Sequence, residues 1–206
     1  LPPVDSAAAA QSKKLWQKRL AISANMKRVS IVGTTGSGKT TLAAEVADIL
    51  GSVHIELDAL NWQPGWTAVP TEVFRRDVLR ALEAPSWVTE GNYHSVRDLV
   101  WERADCIVWL NYRLSLILTR LMRRTARRIV TAEPCCNGNR ESLRMAFSRD
   151  SIFLWALQTH ARRRREYQVL LRQCTEQGKT VVIHRSPQET RAWVNQLRGA
   201  RCLSGS

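Results

Sequence analysis

Apolar residues recur along the chain in two rhythms. Short, nearly unbroken apolar runs occur at Arg28–Val32, Val53–Leu57, Trp87–Thr89, Cys106–Leu110 ("CIVWL") and Thr180–His184 ("TVVIH"). Their length and their β-branched and aromatic content predict strands buried on both faces. Between them lie longer segments whose apolar residues fall three and four apart, which predicts helices. These are Lys39–Leu50, Thr71–Leu82, Ser95–Arg103, Arg113–Val130, a segment from about Arg149 to Cys174, and Pro187–Leu197. Gly51 is a helix stop, Thr71 a candidate cap, and Pro187 suits a first helical turn. Strands that alternate with helices pair in parallel and carry helices on both faces. The expected fold is therefore α/β: a three-layer α/β/α sandwich around a parallel sheet of about five strands, with no internal repeat.

Size agrees with one domain, since 206 residues and 23.4 kDa suffice for a single substantial core. The apolar share of 44% and the charged share of 24% are those of a soluble globular chain. No apolar run approaches the roughly 18–20 residues that span a bilayer. Leu1 to Asn25 reads differently: "LPPVDSAAAAQSKK" is rich in Pro, Ala and Ser, and no secretory h-region follows. The domain is expected at 26–198, after an N-terminal extension and before a tail at 199–206. Five cysteines without a C-x-x-C pair argue for a reducing, cytoplasmic setting, and adjacent Cys135 and Cys136 read as loop chemistry.

Charge changes the picture more. A net charge of +13, mostly from arginine, favours an anionic partner such as nucleotide phosphates or nucleic acid; an arginine-rich bias without a partner gives the same total.

The chemistry concentrates where the first predicted strand meets the first predicted helix. Gly33-Thr34-Thr35-Gly36-Ser37-Gly38-Lys39-Thr40 fits G-x-x-x-x-G-K-[ST] in full, and Thr41 follows. Glycines let successive N–H groups turn toward phosphate oxygens, and the helix start adds its positive dipole end. Lys39 suits the β- and γ-phosphates, and the Thr40 hydroxyl suits Mg²⁺. All nine residues are candidates for binding ATP.

The other strand ends supply candidates for a second substrate. Glu56 and Asp58 close the second strand, where a carboxylate can orient an acceptor hydroxyl or a Mg²⁺-bound water. Trp62, Pro64 and Trp66 form a stiff aromatic loop, either a wall of an acceptor pocket or a cover over the core. Glu90, before Gly91, is a candidate second metal-side acid or base, and Arg97 a candidate acceptor contact. The fourth strand ends in Asn111, not in the acid on which motor ATPases rely.

Arg120, Arg124 and Arg127 form a stripe on the helix that follows, suited to phosphoryl oxygens or to solvent. In "ARRRRE", Ala161–Glu166, at most one arginine is expected in the site. His184, Arg185 and Ser186 are candidates to flank the nucleotide base.

The segments "GTTGSGKTT", "LDALNWQPGW", "WVTEGNYHS", "RADCIVWLNY" and "RSPQE" together make the chain resemble the nucleoside-monophosphate-kinase-like P-loop proteins. Within that group it is most similar to the bacterial topology modulation, or adenylate-kinase-like, proteins. The resemblance covers nearly all of Met26 to Leu197. It implies strand order 2-3-1-4-5 and a helical lid at about 113–148. It also implies that Glu90-Gly91 matches an Asp-Gly strand tip, and that Arg120 and Arg124 match lid-side arginines on ATP phosphates. Glu90 replaces the usual Asp, Val100 stands where relatives carry arginine, and a monophosphate-binding signature is missing.

The reading that follows is a Mg²⁺- and ATP-dependent kinase, with Lys39, Asp58, Glu90, Arg120 and Arg124 as catalytic candidates and Asp58, Trp62, Trp66 and Arg97 on a small-molecule or nucleotide acceptor. The alternative is a nucleic-acid-associated ATPase or a regulator of DNA topology. A third is a nucleotide-bound switch.

Overall fold

The computed structural model describes residues 26–131 and 152–204. The expectations for Leu1 to Asn25, for the Pro/Gly/Asn loop with Cys135 and Cys136, and for the middle of the lid lie outside the described residues.

Five parallel strands build the sheet: β1 (Arg28–Gly33), β2 (Val53–Glu56), β5 (Trp87–Glu90), β6 (Cys106–Leu110) and β7 (Thr180–His184). Two further strands, β3 (Trp62–Gln63) and β4 (Thr67–Ala68), form a separate antiparallel hairpin. The sheet order is β2-β5-β1-β6-β7. With the hairpin left out of the count, this is second-third-first-fourth-fifth along the chain.

The helices are α1 (Lys39–Leu50), α2 (Leu57–Asn61), α3 (Thr71–Ala81), α4 (His94–Arg103), α5 (Leu114–Thr131), α6 (Ile152–Glu176) and α7 (Pro187–Ser204). None of the described helices is long and apolar enough to cross a membrane.

Strand pleating sends alternate residues to opposite faces. Val29, Ile31, Cys106, Val108 and Leu110 join one core, with Leu42 and Val46 of α1 and Val194 and Leu197 of α7. Val32, Ile107 and Trp109 join the other, with Phe74 and Val78 of α3, Val96 and Val100 of α4, and Tyr167 and Leu171 of α6. The central strands are thus buried on both faces, which explains why their sequences read as continuous apolar runs. At the opposite end from the glycine-rich turn, the Asp105 carboxylate accepts from the N–H groups of Lys27 and Arg28 (3.1 and 2.9 Å) and fixes where β1 enters the sheet.

Four details differ from the sequence reading. The second strand stops at Glu56, because Leu57 and Asn61 turn inward as the one-turn helix α2. The stretch after it is the β3–β4 hairpin and not an irregular loop. Helix α3 begins on Thr71 itself, with Pro70 at the cap position and no side-chain cap bond. Helix α7 runs on to Ser204, because Val194, Leu197 and Ala200 continue the buried spacing and Arg201 donates to the Leu50 carbonyl at 2.9 Å.

The first turns of α5 belong to the core. Ile117 and Leu121 are fully buried. They press on Gly36 so closely that a Cβ there would lie 2.6 Å from Leu121 Cγ, and Gly36 also holds a φ of +77°. Gly36→Ala is therefore expected to lower the unfolding free energy by about 1–3 kcal/mol, read from the urea midpoint. Gly199→Ala, on the exposed side of α7 with open space at its Cβ, is expected to be neutral or to stabilise by up to about 1 kcal/mol.

Candidate nucleotide and acceptor site

β1 ends in Gly33, and the chain wraps from there to the start of α1. Gly38 caps that helix with a left-handed backbone (φ 93°), without a side-chain cap bond and without an acid in the first turn. The first N–H groups of a helix have no intrahelical partner, so this end offers donors and positive potential to an anion. The loop is stiffened from within by the Ser37 N–H on the Thr34 carbonyl (3.0 Å). Lys39 folds back over it, with Nζ 3.4 Å from the Thr34 oxygen. Thr34 is buried, Thr35 and Gly36 are half-buried, and Thr40 and Thr41 are exposed.

Arg120 reaches the loop from α5. It donates to the Ser37 carbonyl at 2.8 Å, and its guanidinium lies 5.3 Å over the Tyr112 ring. Arg124, one turn on, adds its charge near Lys39. The expected third member of the stripe, Arg127, is exposed, as is Arg123, while Arg128 is half-buried. The inward row is 120, 124 and 128, spaced by four. In Ala161–Glu166 the half-buried arginine is Arg163, and its charge is felt at both Lys39 and Arg97. Arg162, Arg164 and Arg165 are exposed.

Glu90 ends β5 beside the loop and is only 3% exposed. Its Oε1 accepts the Thr40 hydroxyl at 2.9 Å. Burial raises the Glu90 carboxyl above its ordinary range, against the pull of the Lys39 ammonium and the Thr40 bond. Burial likewise lowers Lys39, against the attraction of Glu90 and Asp58. For both groups the loss of water outweighs the gain from the partner.

The Thr40 hydroxyl and the Glu90 carboxylate are hard oxygen donors, and among the described residues no cluster of three or more His, Cys, Asp or Glu forms a cage. That donor set fits Mg²⁺, which keeps waters and phosphate oxygens among its ligands.

Asp58 lies on α2 and not at a strand end, and its Oδ1 accepts the Tyr93 hydroxyl at 2.6 Å. Tyr93 is braced edge-on by Phe74, with ring centroids 5.0 Å apart. Trp62 and Trp66 pack edge-to-face across the hairpin at 5.9 Å. Trp66 holds a φ of +57°, a strained conformation for a bulky side chain.

Arg97 pairs with Glu166 at 2.7 Å and lies 5.4 Å from the rings of Trp101 and Tyr167. It is held by α6 through Glu166 and Tyr167. Val100 is 2% exposed in the core under α4, a position that would bury a guanidinium.

Arg185 and Ser186 are taken up with the start of α7. The Ser186 hydroxyl accepts the Glu189 N–H (3.2 Å), and the Glu189 carboxylate accepts the Arg185 N–H (2.7 Å). His184 is buried on Thr190, 3.1 Å away, and tilts against Trp193. The fourth sheet strand does lead into Asn111, whose N–H donates to the His184 carbonyl at 2.8 Å.

Lys39, Thr40, Glu90, Arg120, Arg124 and Asp58 are therefore brought together around the loop. Asn92, Tyr93, Tyr112, Arg163 and Tyr167 were not singled out from the sequence. Asn92 and Tyr93 sit directly after Glu90-Gly91, which was the available signal.

No family model and no curated protein sequence matches the chain. Solved structures do. A shikimate kinase from Acinetobacter baumannii, in complex with shikimate, is 16% identical with a TM-score of 0.50, covering 91% of this chain and 98% of that one. A shikimate kinase from Bacteroides thetaiotaomicron is 16% identical with a TM-score of 0.50, covering 84% and 97%. These likenesses show the fold alone: a five-stranded parallel sheet between helices, shared with those two proteins.

The Glu90 carboxyl yields a pH prediction. A carboxyl whose folded pKa is raised above its ordinary 4.5 binds a proton that the unfolded chain has released. Its contribution to stability is complete below that value and is lost as pH rises through the folded pKa. Urea unfolding of wild type and Glu90→Gln should show the variant gaining on wild type as pH rises above 4.5; parallel profiles would refute the shift.

Proposed function

We propose that this protein is a Mg²⁺- and ATP-dependent kinase that transfers the γ-phosphoryl group to a hydroxyl of a small metabolite or nucleotide. The observation that carries the reading is the 2.9 Å bond from the Thr40 hydroxyl to buried Glu90, at a helix start that no side chain caps, with Lys39 folded over it. A polyphosphate there meets main-chain N–H groups, the Lys39 ammonium and the Arg120 and Arg124 guanidinium groups. Thr40 and Glu90 would hold the Mg²⁺, which supplies charge neutralisation for the phosphates.

Asp58 is the group to orient and deprotonate the acceptor hydroxyl, with Tyr93 fixing its carboxylate. The acceptor oxygen then bonds to the γ-phosphorus as the bridge to the β-phosphate breaks, and ADP leaves. Trp62, Trp66 and Arg97 are assigned to the acceptor, and Arg185 and Ser186 to the base side of the nucleotide. The likeness to small-molecule kinase folds supports the reaction class, and the resemblance to topology modulation proteins supports a nucleotide-linked acceptor.

The test is ADP release from ATP across a panel of hydroxy acids, sugars, nucleosides and nucleoside monophosphates. Acceptor-dependent ADP formation is expected. Lys39→Ala should abolish it, and Asp58→Asn should lower kcat about 10²- to 10⁴-fold with ATP affinity kept. ATP binding with no acceptor turnover would overturn the reading. The solvent-facing Arg162, Arg164 and Arg165 favour the nucleic-acid alternative instead, which is supported if DNA or RNA stimulates turnover in a steeply salt-dependent way.

A further inference from the structure

The pairing of β1 with β5 runs in register from Arg28 opposite Trp87 to Ile31 opposite Glu90. The Gly91 N–H adds one more bond, to the Ile31 carbonyl at 3.3 Å. There the main-chain ladder on this side of β1 stops. Gly91, at a φ of +146°, carries the chain aside, and a Cβ on it would come within 2.9 Å of Leu57 Cβ. Gly33, the first residue of the phosphate loop, thus extends past the last residue of β5.

The side chain of Asn92 fills that place. Its Oδ1 accepts the Gly33 N–H at 3.1 Å, and its Nδ2 donates to the Gly33 carbonyl. One donor and one acceptor on a single residue is the pattern that a neighbouring strand presents. The amide cannot be turned over without losing both bonds, because Gly33 offers one N–H and one carbonyl.

A third partner fixes it. The Tyr167 hydroxyl, on α6, donates to the same Oδ1 at 3.2 Å. Tyr167 is 1% exposed, with Trp101 and Trp109 edge-on at 5.8 and 5.9 Å.

We infer that Asn92 is a positioning residue of the phosphate loop: its side-chain amide continues the sheet by one residue onto Gly33, and Tyr167 holds that amide in place. Asn92 acts through Gly33. Main-chain N–H groups bind an anion well only if they are already oriented, since ordering them on binding costs free energy. The loop begins at a residue, Gly33, clamped on both its N–H and its carbonyl, which fixes the two peptide planes that flank it and so the direction of the groups that follow. The inference rests on the reading of this loop as the nucleotide site.

The experiment uses the full chain and two readouts: the Mg·ATP dissociation constant by calorimetry, and hydrogen exchange of the segment Val32–Ser37. Asn92→Ala should raise the dissociation constant about tenfold or more, and Tyr167→Phe by about two- to fivefold. Both should speed exchange in the segment. Val78→Ala, which empties a fully buried position on α3 away from the loop, serves as a control for lost stability. It should lower the urea midpoint while leaving ATP affinity within about twofold and the segment's exchange unchanged.

Asn92→Ala with wild-type affinity, or with unaltered exchange over Val32–Ser37, would overturn the inference. A Lys39→Ala protein that binds ATP normally would instead count against the nucleotide reading, and the exchange arm would still decide whether the amide holds the loop.

Discussion

Two opposite charges lie near each other at the top of the central strands, Glu90 buried and Lys39 half-buried, and the rest of the site is arranged around the difficulty this creates. Neither Lys39 nor Glu90 recovers from its neighbour what it loses in leaving water. Such a pair does not stabilise a fold and is kept in place by its surroundings. The sheet fixes Glu90 through its register with Ile31, and α1 fixes Lys39 directly after Gly38. Charges held this way are ready for ligands that complete them: an anion for the ammonium and a cation for the carboxylate. On the proposed reading, a magnesium-bound polyphosphate would provide both.

What the sequence made legible was everything that depends on local order. Periodicity placed the strands and helices, because parallel strands buried on two faces have no polar side to break the apolar run. The G-x-x-x-x-G-K-[ST] motif placed Lys39 and Thr40, because one turn must satisfy glycine geometry and phosphate chemistry at the same time. Strand order came with the resemblance. The inward position of Arg120 and Arg124 agreed with helical spacing, whereas Arg127 did not. A spacing of three or four fits one face equally well on paper, and only packing against the loop selects 128 over 127.

What stayed hidden depends on contacts between segments far apart in the chain. Nothing local to Asn92 says that its amide meets Gly33, 59 residues away. Nothing local to Tyr93 says that its hydroxyl meets Asp58. The hairpin of Trp62 to Ala68 reads as a loop in the sequence because two-residue strands carry no periodicity. Among four consecutive arginines, the inward one is chosen by the placement of α6 against Lys39 and Arg97. Ser186, which reads as a base-side residue from its strand end, is engaged in capping α7. That second task is invisible at the strand end, because its partner, Glu189, lies one helical turn away.

Helix α5 enters the cleft already anchored. Ile117 and Leu121 are fully buried against Gly36, and Thr125 is 5% exposed. A hinge needs residues that can change their backbone angles without opening a cavity, and none of these positions can do so. Arg120 therefore moves with the floor of the site. If substrate binding rearranges this helix at all, the pivot falls after Thr125, and the guanidinium resting on Tyr112 is a fixed post against which anything beyond that pivot would close.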